Sequence, residues 1–265
     1  MFYKQFLRVR GALVCYAIVL AILLGVSTLI TMSTSKVDLS IGAGAAQAAT
    51  VTHATIQSGA TPWLVLLALA GFSAAIMATV LGSSLAQEND HLEVACTKPC
   101  SRATYATGII AIDLGAILIS LAIALACGFA GFAVIASRTG AHLISEPDAT
   151  ANIARFVLFP LAWYAVIAGL SAGMRSKASV VQGLIWPVAM GMVGLREVPL
   201  GGIWHNIFVA LNAINPLIYI SYQSKADVVI VGASPLHVLW STLILAAFVV
   251  VGWFAATTQW RRVEA

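Results

Sequence analysis

Charge is what this sequence has least of. Of its 265 residues only 14 are Lys or Arg and 10 are Asp or Glu, 9% in all, where a soluble domain carries about 25%. So few charges cannot cover a water-facing surface, and 60% hydrophobic residues with a mean hydropathy of +0.95 make the lipid bilayer the solvent that suits the chain. The net charge of +4 is small and scattered among loop ends, which argues for topology determinants and excludes a nucleic-acid surface. Cysteine is sparse as well. Cys15 and Cys127 sit inside apolar runs, where a thiol behaves as a small hydrophobe, and with Cys96 and Cys100 they make no disulfide framework. The sequence also lacks any Gly-x-x-x-x-Gly-Lys-Ser/Thr phosphate loop, so the usual backbone cradle and lysine for ATP are missing. Any ATPase must then be another chain.

What the sequence has in abundance is long apolar runs. Six emerge, at about 11 to 32, 62 to 85, 104 to 136, 153 to 174, 180 to 198 and 236 to 257, each able to cross roughly 30 Å of hydrocarbon as a helix. Helices are required because lipid offers no partner for backbone N–H and C=O groups. The expected fold is therefore an all-α integral membrane protein with six transmembrane helices in one domain spanning 1–265, leaving no room for a soluble catalytic domain. The first run follows Lys4, Arg8 and Arg10 and is too long for a signal-peptide core of roughly 7 to 15 residues, so it reads as a retained span.

The Lys/Arg distribution sets the expected orientation, because cytoplasmic loop ends carry the excess. With the N-terminus inside, the inner face holds Lys4, Arg8, Arg10, Lys98, Arg102, Arg175, Lys177, Arg261 and Arg262; the outer face holds Lys36, Arg138, Arg155, Arg196 and Lys225. Both termini are expected in the cytoplasm of a cell whose inner membrane the chain crosses. Outside, the stretch 33–61 is Ala-, Gly-, Ser- and Thr-rich and reads as a loose connection. The stretch 199–235 is different: Trp204, Ile207, Phe208, Leu211, Ile214 and Leu217 recur at spacings of three and four. They predict short outer re-entrant or interfacial helices between spans 5 and 6, amphipathic and broken at Asn215-Pro216. Gly169 with Gly173, and Gly191 with Gly194, are expected to let helices approach closely, and Pro187 to kink the fifth helix. The last three spans do not repeat the first three in a way that would suggest an inverted-repeat carrier.

The densest polar run lies between spans 2 and 3 and reads Glu-Asn-Asp-His-Leu-Glu-Val-Ala-Cys-Thr-Lys-Pro-Cys-Ser-Arg from Glu88 to Arg102. Leu85, Leu92 and Ala95 or Cys96 fall near one helical face, opposite a charged one. Pro99 then stops the helix, and Ser101 is suited to cap the next one. The product is a short cytoplasmic helix tied to two spans, fit to work as a lever.

This stretch resembles the coupling segment of ABC-2 type ABC transporter permeases, in which an acidic residue precedes a helix ending in a basic residue, Pro, a small or branched residue, Ser and Arg. His91-Leu92-Glu93 followed by Thr97-Lys98-Pro99 and Ser101-Arg102 carries the likeness. In that family the segment docks on a separate ABC ATP-binding subunit, there are six spans, and short outer helices precede the sixth. The resemblance implies that Glu88, His91, Glu93, Lys98, Pro99 and Arg102 contact the ATPase, that ATP is used through that partner with no cofactor bound directly, that a second permease copy or homologue completes a dimer, and that the direction of transport is export. The acidic run here has no glycine, and Cys100 stands where an aliphatic residue is common between Pro and Ser; both departures bear on which ATPase is accepted.

Four further features carry possible chemistry. Asp113 is the one acid well inside an apolar run, about 16 Å along its helix from Arg102. An ionisable group at that depth either lines a cavity or dimer interface or bonds a Ser or Thr of a neighbouring helix. Were the chain a self-contained channel or secondary carrier, Asp113 is the residue it would run on. Glu197 and His205, with Arg196, either line an exit or sit exposed at the interface. His91, Cys96 and Cys100 offer three metal ligands without a fourth, so no metal is expected. Finally, Gly169-Leu-Ser-Ala-Gly173 with His237 looks a little like an intramembrane serine protease. Depth opposes it, since Ser171 lies about 27 Å from the outer end of its helix and His237 at the outer end of the last, so they cannot share a hydrogen bond.

Overall fold

A computed structural model describes residues 2–34, 62–84, 102–139, 149–174, 178–196, 202–220 and 235–262. Every regular element among them is helical: α1 (Phe2–Thr34), α2 (Pro62–Ser84), α3 (Arg102–Thr139), α4 (Ala149–Met174), α5 (Ala178–Arg196), α6 (Ile203–Ala213), a 3-10 turn (Pro216–Tyr219) and α7 (Pro235–Arg262). Five of these are long and apolar enough to cross a membrane, within α1, α2, α3, α4 and α7, and the stretch Ser179–Leu195 of α5 is a shorter apolar helix. The chain is thus an all-α, multi-pass membrane protein. The run expected at 104–136 is a helix of 38 residues, about 57 Å long, so it overreaches the hydrocarbon as anticipated.

The side-chain register fixes the helix directions. Arg8 meets Asp113 and Leu24 meets Gly131, so α1 and α3 run parallel. Gly71 meets Phe156 and Gly82 meets Ile167, so α2 parallels α4; Gly252 against Ala165 packs α7 on α4. The first turn of α1, the last turn of α7, Ser84 and Arg102 accordingly lie at one end of the bundle, called below the Arg102 end.

The centre of the bundle is α4, which packs against α2, α3, α5, α7 and the 3-10 turn. Phe156, Phe159, Trp163, Tyr164 and Ile167 are all buried on it. α1 lies at the periphery, mainly against α3, and turns Val14, Ile18, Ile22 and Val26 outward. In water such a face would be untenable; in lipid it costs nothing to leave it there.

Close approach is achieved by glycines other than those expected. A Cβ on Gly82 would lie 2.9 Å from Ile167 Cγ2, one on Gly131 2.7 Å from Leu24 Cδ1, and one on Gly252 2.4 Å from Ala165 Cβ. Around Gly169, Gly191 and Gly194 there is nothing within 4 Å. Within the chain these three therefore make no close approach, because spacing of small residues does not reveal which face of a uniformly apolar helix turns inward. Gly71 has a second task. Pro160 within α4 deprives the Phe156 carbonyl of its helical N–H donor, and Gly71 of α2 faces that oxygen, with room for a Cβ only at 3.3 Å.

Gly252→Ala is expected to destabilise by about 1–3 kcal/mol, since the added methyl meets Ala165 backbone as well as its side chain. Gly169→Ala, facing open space, should be close to neutral. Thermal midpoints in detergent check the contrast; equal midpoints for the two would contradict this account of the α4 and α7 contact.

Beyond α5 the chain breaks at Asn215-Pro216 as the sequence suggests. Asn215 Oδ1 accepts from the Leu217 N–H (3.1 Å), and its Nδ2 donates to the Ala189 carbonyl of α5 (2.9 Å). Asn212 Nδ2 donates to the Met192 carbonyl (2.8 Å). Two asparagines therefore bind α6 and the 3-10 turn to α5. The expected amphipathic character is present: Ile203, Trp204, Ile207 and Leu211 fall on one side of α6 and are exposed, while His205 and Asn212 fall on the other, where Asn212 is buried.

Candidate functional site

Asp113 sits on α3, fully buried. Its Oδ1 accepts from Arg8 Nη2 of α1 at 2.7 Å, and its Oδ2 accepts from the Tyr164 hydroxyl of α4 at 2.9 Å. Asp113 follows Arg102 by eleven residues and Tyr164 precedes Met174 by ten, so antiparallel α3 and α4 bring them to the same depth, about 15–16 Å from the Arg102 end. Three helices meet on one carboxylate.

The electrostatics explain the arrangement. An isolated charge at membrane depth costs about 2.5–3.5 kcal/mol on insertion scales, and a cation and an anion in contact cancel most of each other's field. The Arg8 side chain retains 20% exposure while Asp113 retains none. The arginine therefore reaches inward from a peripheral helix to neutralise an acid that cannot itself reach water. Tyr164, also buried, supplies a second, neutral donor. Among the groups around Asp113 are thus an arginine and a tyrosine, from two different helices.

Arg8 itself was read as a loop-end topology charge, and so was Arg155. Both lie within helices. Arg155 of α4 is buried at 1% exposure, with its guanidinium 5.5 Å over the Phe156 ring. Helix α1 begins well before Gly11, which is why Arg8 becomes a partner inside the bundle. The clue available in the sequence was a complementary pair, one cation at the mouth of the first apolar run and one acid inside the third.

A second polar node lies between α2, α4 and α5. Thr79 Oγ1 accepts from Trp163 Nε1 (2.9 Å) and Trp186 Nε1 (3.0 Å), and donates to the Ala75 carbonyl (2.9 Å). The two indoles have centroids 4.7 Å apart and join Phe72 and Phe159 in one aromatic cluster. One hydroxyl thus satisfies two indole donors and itself, which fixes the rotamers of both tryptophans. On the periphery, Tyr16 of α1 donates to Ser73 of α2 at 2.9 Å.

A small apolar cavity of about 10 Å³ lies between α3, α4 and α7, lined by Leu114, Tyr164, Ala168, Val249, Gly252 and Trp253 among others. Tyr164 both lines this cavity and, through its hydroxyl, bonds Asp113.

The remaining sequence candidates separate. Glu88, His91, Glu93, Lys98 and Pro99 lie outside the described residues, as do Glu197, Cys96, Cys100 and the proposed cap Ser101. Arg102 is the first residue of α3, where the proline-terminated turn was expected to hand over to the next helix. His205 is exposed on α6 and is not brought to Asp113. Ser171 Oγ donates to the Gly82 carbonyl of α2 at 2.8 Å. Since Ala165 pairs with Gly252 in parallel helices, Ser171 falls level with residue 258, some 21 residues or about 31 Å from His237. Its hydroxyl acts as an interhelical tie.

Compared with models of protein families, with curated proteins and with solved structures, the chain matches none.

Proposed function

We propose that the chain is the membrane-spanning permease subunit of an ABC-2 type ABC transporter, an exporter driven by a separate ATP-binding subunit and completed by a second copy or homologue. In this reading it spans the inner membrane six times, α5 serving as the fifth span, and the Arg102 end faces the cytoplasm. The observation that carries the reading is where the polar run from Glu88 to Arg102 leaves and rejoins the bundle. It connects Ser84 of α2 to Arg102 of α3, at the end where α1 starts and α7 finishes. A soluble partner gripping that run has direct purchase on two packed helices.

Three other features support it. The missing phosphate loop requires ATP to be handled elsewhere. The short α6 and 3-10 turn stand before the last span, where the resemblance implies short outer helices. Gly183, Gly191 and Gly194 of α5 have open space beside them, as a surface that receives another helix in lipid should. ATP-driven closure of two ATPase subunits would push the segment around Glu88 and reorient the two permease halves about their shared interface. A self-contained channel or carrier running on Asp113 draws no support from a carboxylate whose two oxygens are each already bonded.

The test is co-purification of the chain with a candidate phosphate-loop ATPase. Glu88→Ala and Arg102→Ala should each weaken association about tenfold, the equivalent of about 1.4 kcal/mol, with matching loss of ATP-dependent transport. Unchanged association and transport in both variants would sink the assignment.

A further inference from the structure

Helix α3 begins at Arg102, where the proposed lever ends, and its first buried polar contact of large consequence is Asp113. That carboxylate binds α1 through Arg8 at 2.7 Å and α4 through Tyr164 at 2.9 Å. From these contacts we infer that Asp113 is a positioning residue for energy transmission: it ties α1 and α4 to α3, so that a displacement entering α3 at Arg102 moves three helices as one body.

Packing alone does not supply that tie. α1 is peripheral, with only 6% of its membrane-spanning window buried, against 56% for that of α4. Its other contacts with α3 include apolar ones such as Leu24 on Gly131 and a neutral polar one between Tyr16 and Ser120. Apolar side chains sliding past one another in lipid exchange one hydrocarbon neighbour for another at little cost. An ion pair differs, because separating Arg8 from Asp113 would leave two opposite charges unneutralised in a low-dielectric setting. The pair thus resists sliding where the apolar contacts permit it. Tyr164 extends the same constraint to α4, which carries most of the core. From there Trp163, one residue away, reaches Thr79 of α2 and, through it, Trp186 of α5. A movement of α3 has a continuous bonded route to every one of these helices.

The inference rests on the permease reading for its function, though the tie itself can be tested on the chain alone. The discriminating variant replaces both charges at once, Arg8→Met with Asp113→Leu. Filling a buried pair with apolar groups of similar volume often preserves stability, so this variant separates a tie from a mere anchor. Spin labels at Leu7 of α1 and Leu170 of α4, both exposed, read the distance between the two helices in a cysteine-free background. In lipid nanodiscs the native pair should give one narrow distance peak, unchanged when nucleotide is added to the assembled complex. Combined with Tyr164→Phe, so that no buried hydroxyl is left without its acceptor, the variant should keep its thermal midpoint and its ATPase partner, yet lose the single peak and lose nucleotide-driven transport. Such a variant with the native narrow peak and native transport overturns the inference, as does a native α1 to α4 distance that shifts with nucleotide. Failure of the native chain to bind any ATPase counts against the permease reading alone; the distance distribution of the isolated chain then still decides the tie.

Discussion

Asp113→Ala is expected to lower the stability of the bundle by about 2–3 kcal/mol, and Tyr164→Phe by less than 1. The difference follows from what each change leaves behind. Removing the tyrosine hydroxyl removes one interhelical hydrogen bond, worth about 0.6 kcal/mol on average within membranes. Removing the carboxylate leaves the Arg8 guanidinium without its anion, at a site where an unpaired cation costs about 2.5–3.5 kcal/mol. The full figure is discounted because the Arg8 side chain is 20% exposed and, near the start of α1, can turn toward the polar boundary. Arg8→Met added to Asp113→Leu should recover most of the loss. Chemical or thermal unfolding in mild detergent checks the order; a single Asp113→Ala variant as stable as Tyr164→Phe would mean that the ion pair contributes little.

Thr79→Val should cost about 2 kcal/mol although it changes neither volume nor shape. The hydroxyl accepts from two indoles, and a buried donor left unpaired costs about 1–3 kcal/mol. Trp163 is 1% exposed and has nowhere to turn, whereas Trp186 is only half-buried and can relax. The loss therefore falls mainly on Trp163. Thr79→Ser keeps the acceptor and should stay much closer to the native protein. Indole N–H resonances report the event directly: in Thr79→Val those of Trp163 and Trp186 should both move toward the values of a free indole donor. Unmoved resonances would show that the node is not held by Thr79.

These residues mark how far the sequence could be read. Six apolar runs, the over-long third helix, the break at Asn215-Pro216 and the isolation of Asp113 follow from length, proline chemistry and the cost of charge in lipid, all of which are local properties. Arg8 as the partner of Asp113 was not legible in that way, because pairing across 105 positions depends on the register of α1 against α3. The same holds for the glycines. Gly169, Gly191 and Gly194 have the right spacing, but Gly82, Gly131 and Gly252 make the contacts, since hydrocarbon accepts either face of an apolar helix and periodicity no longer points inward. In a soluble protein the polar face would have told them apart. Of the proposed site, the segment around Glu88 draws notice by its charge and its proline, and the proposal of its partner rests on resemblance alone.

The central claim is that an ATP-binding subunit grips the chain between Glu88 and Arg102. Two native thiols, Cys96 and Cys100, lie within that segment, and two others, Cys15 and Cys127, lie within α1 and α3. Thiol-directed crosslinking in intact membranes, followed by mass spectrometry, therefore uses the chain as it is. The account predicts that Cys96 and Cys100 capture a phosphate-loop ATPase and that the product disappears in Cys96→Ser/Cys100→Ser while Cys15 and Cys127 remain. Capture of no such subunit from Cys96 or Cys100, in membranes where the ATPase is present, would contradict it.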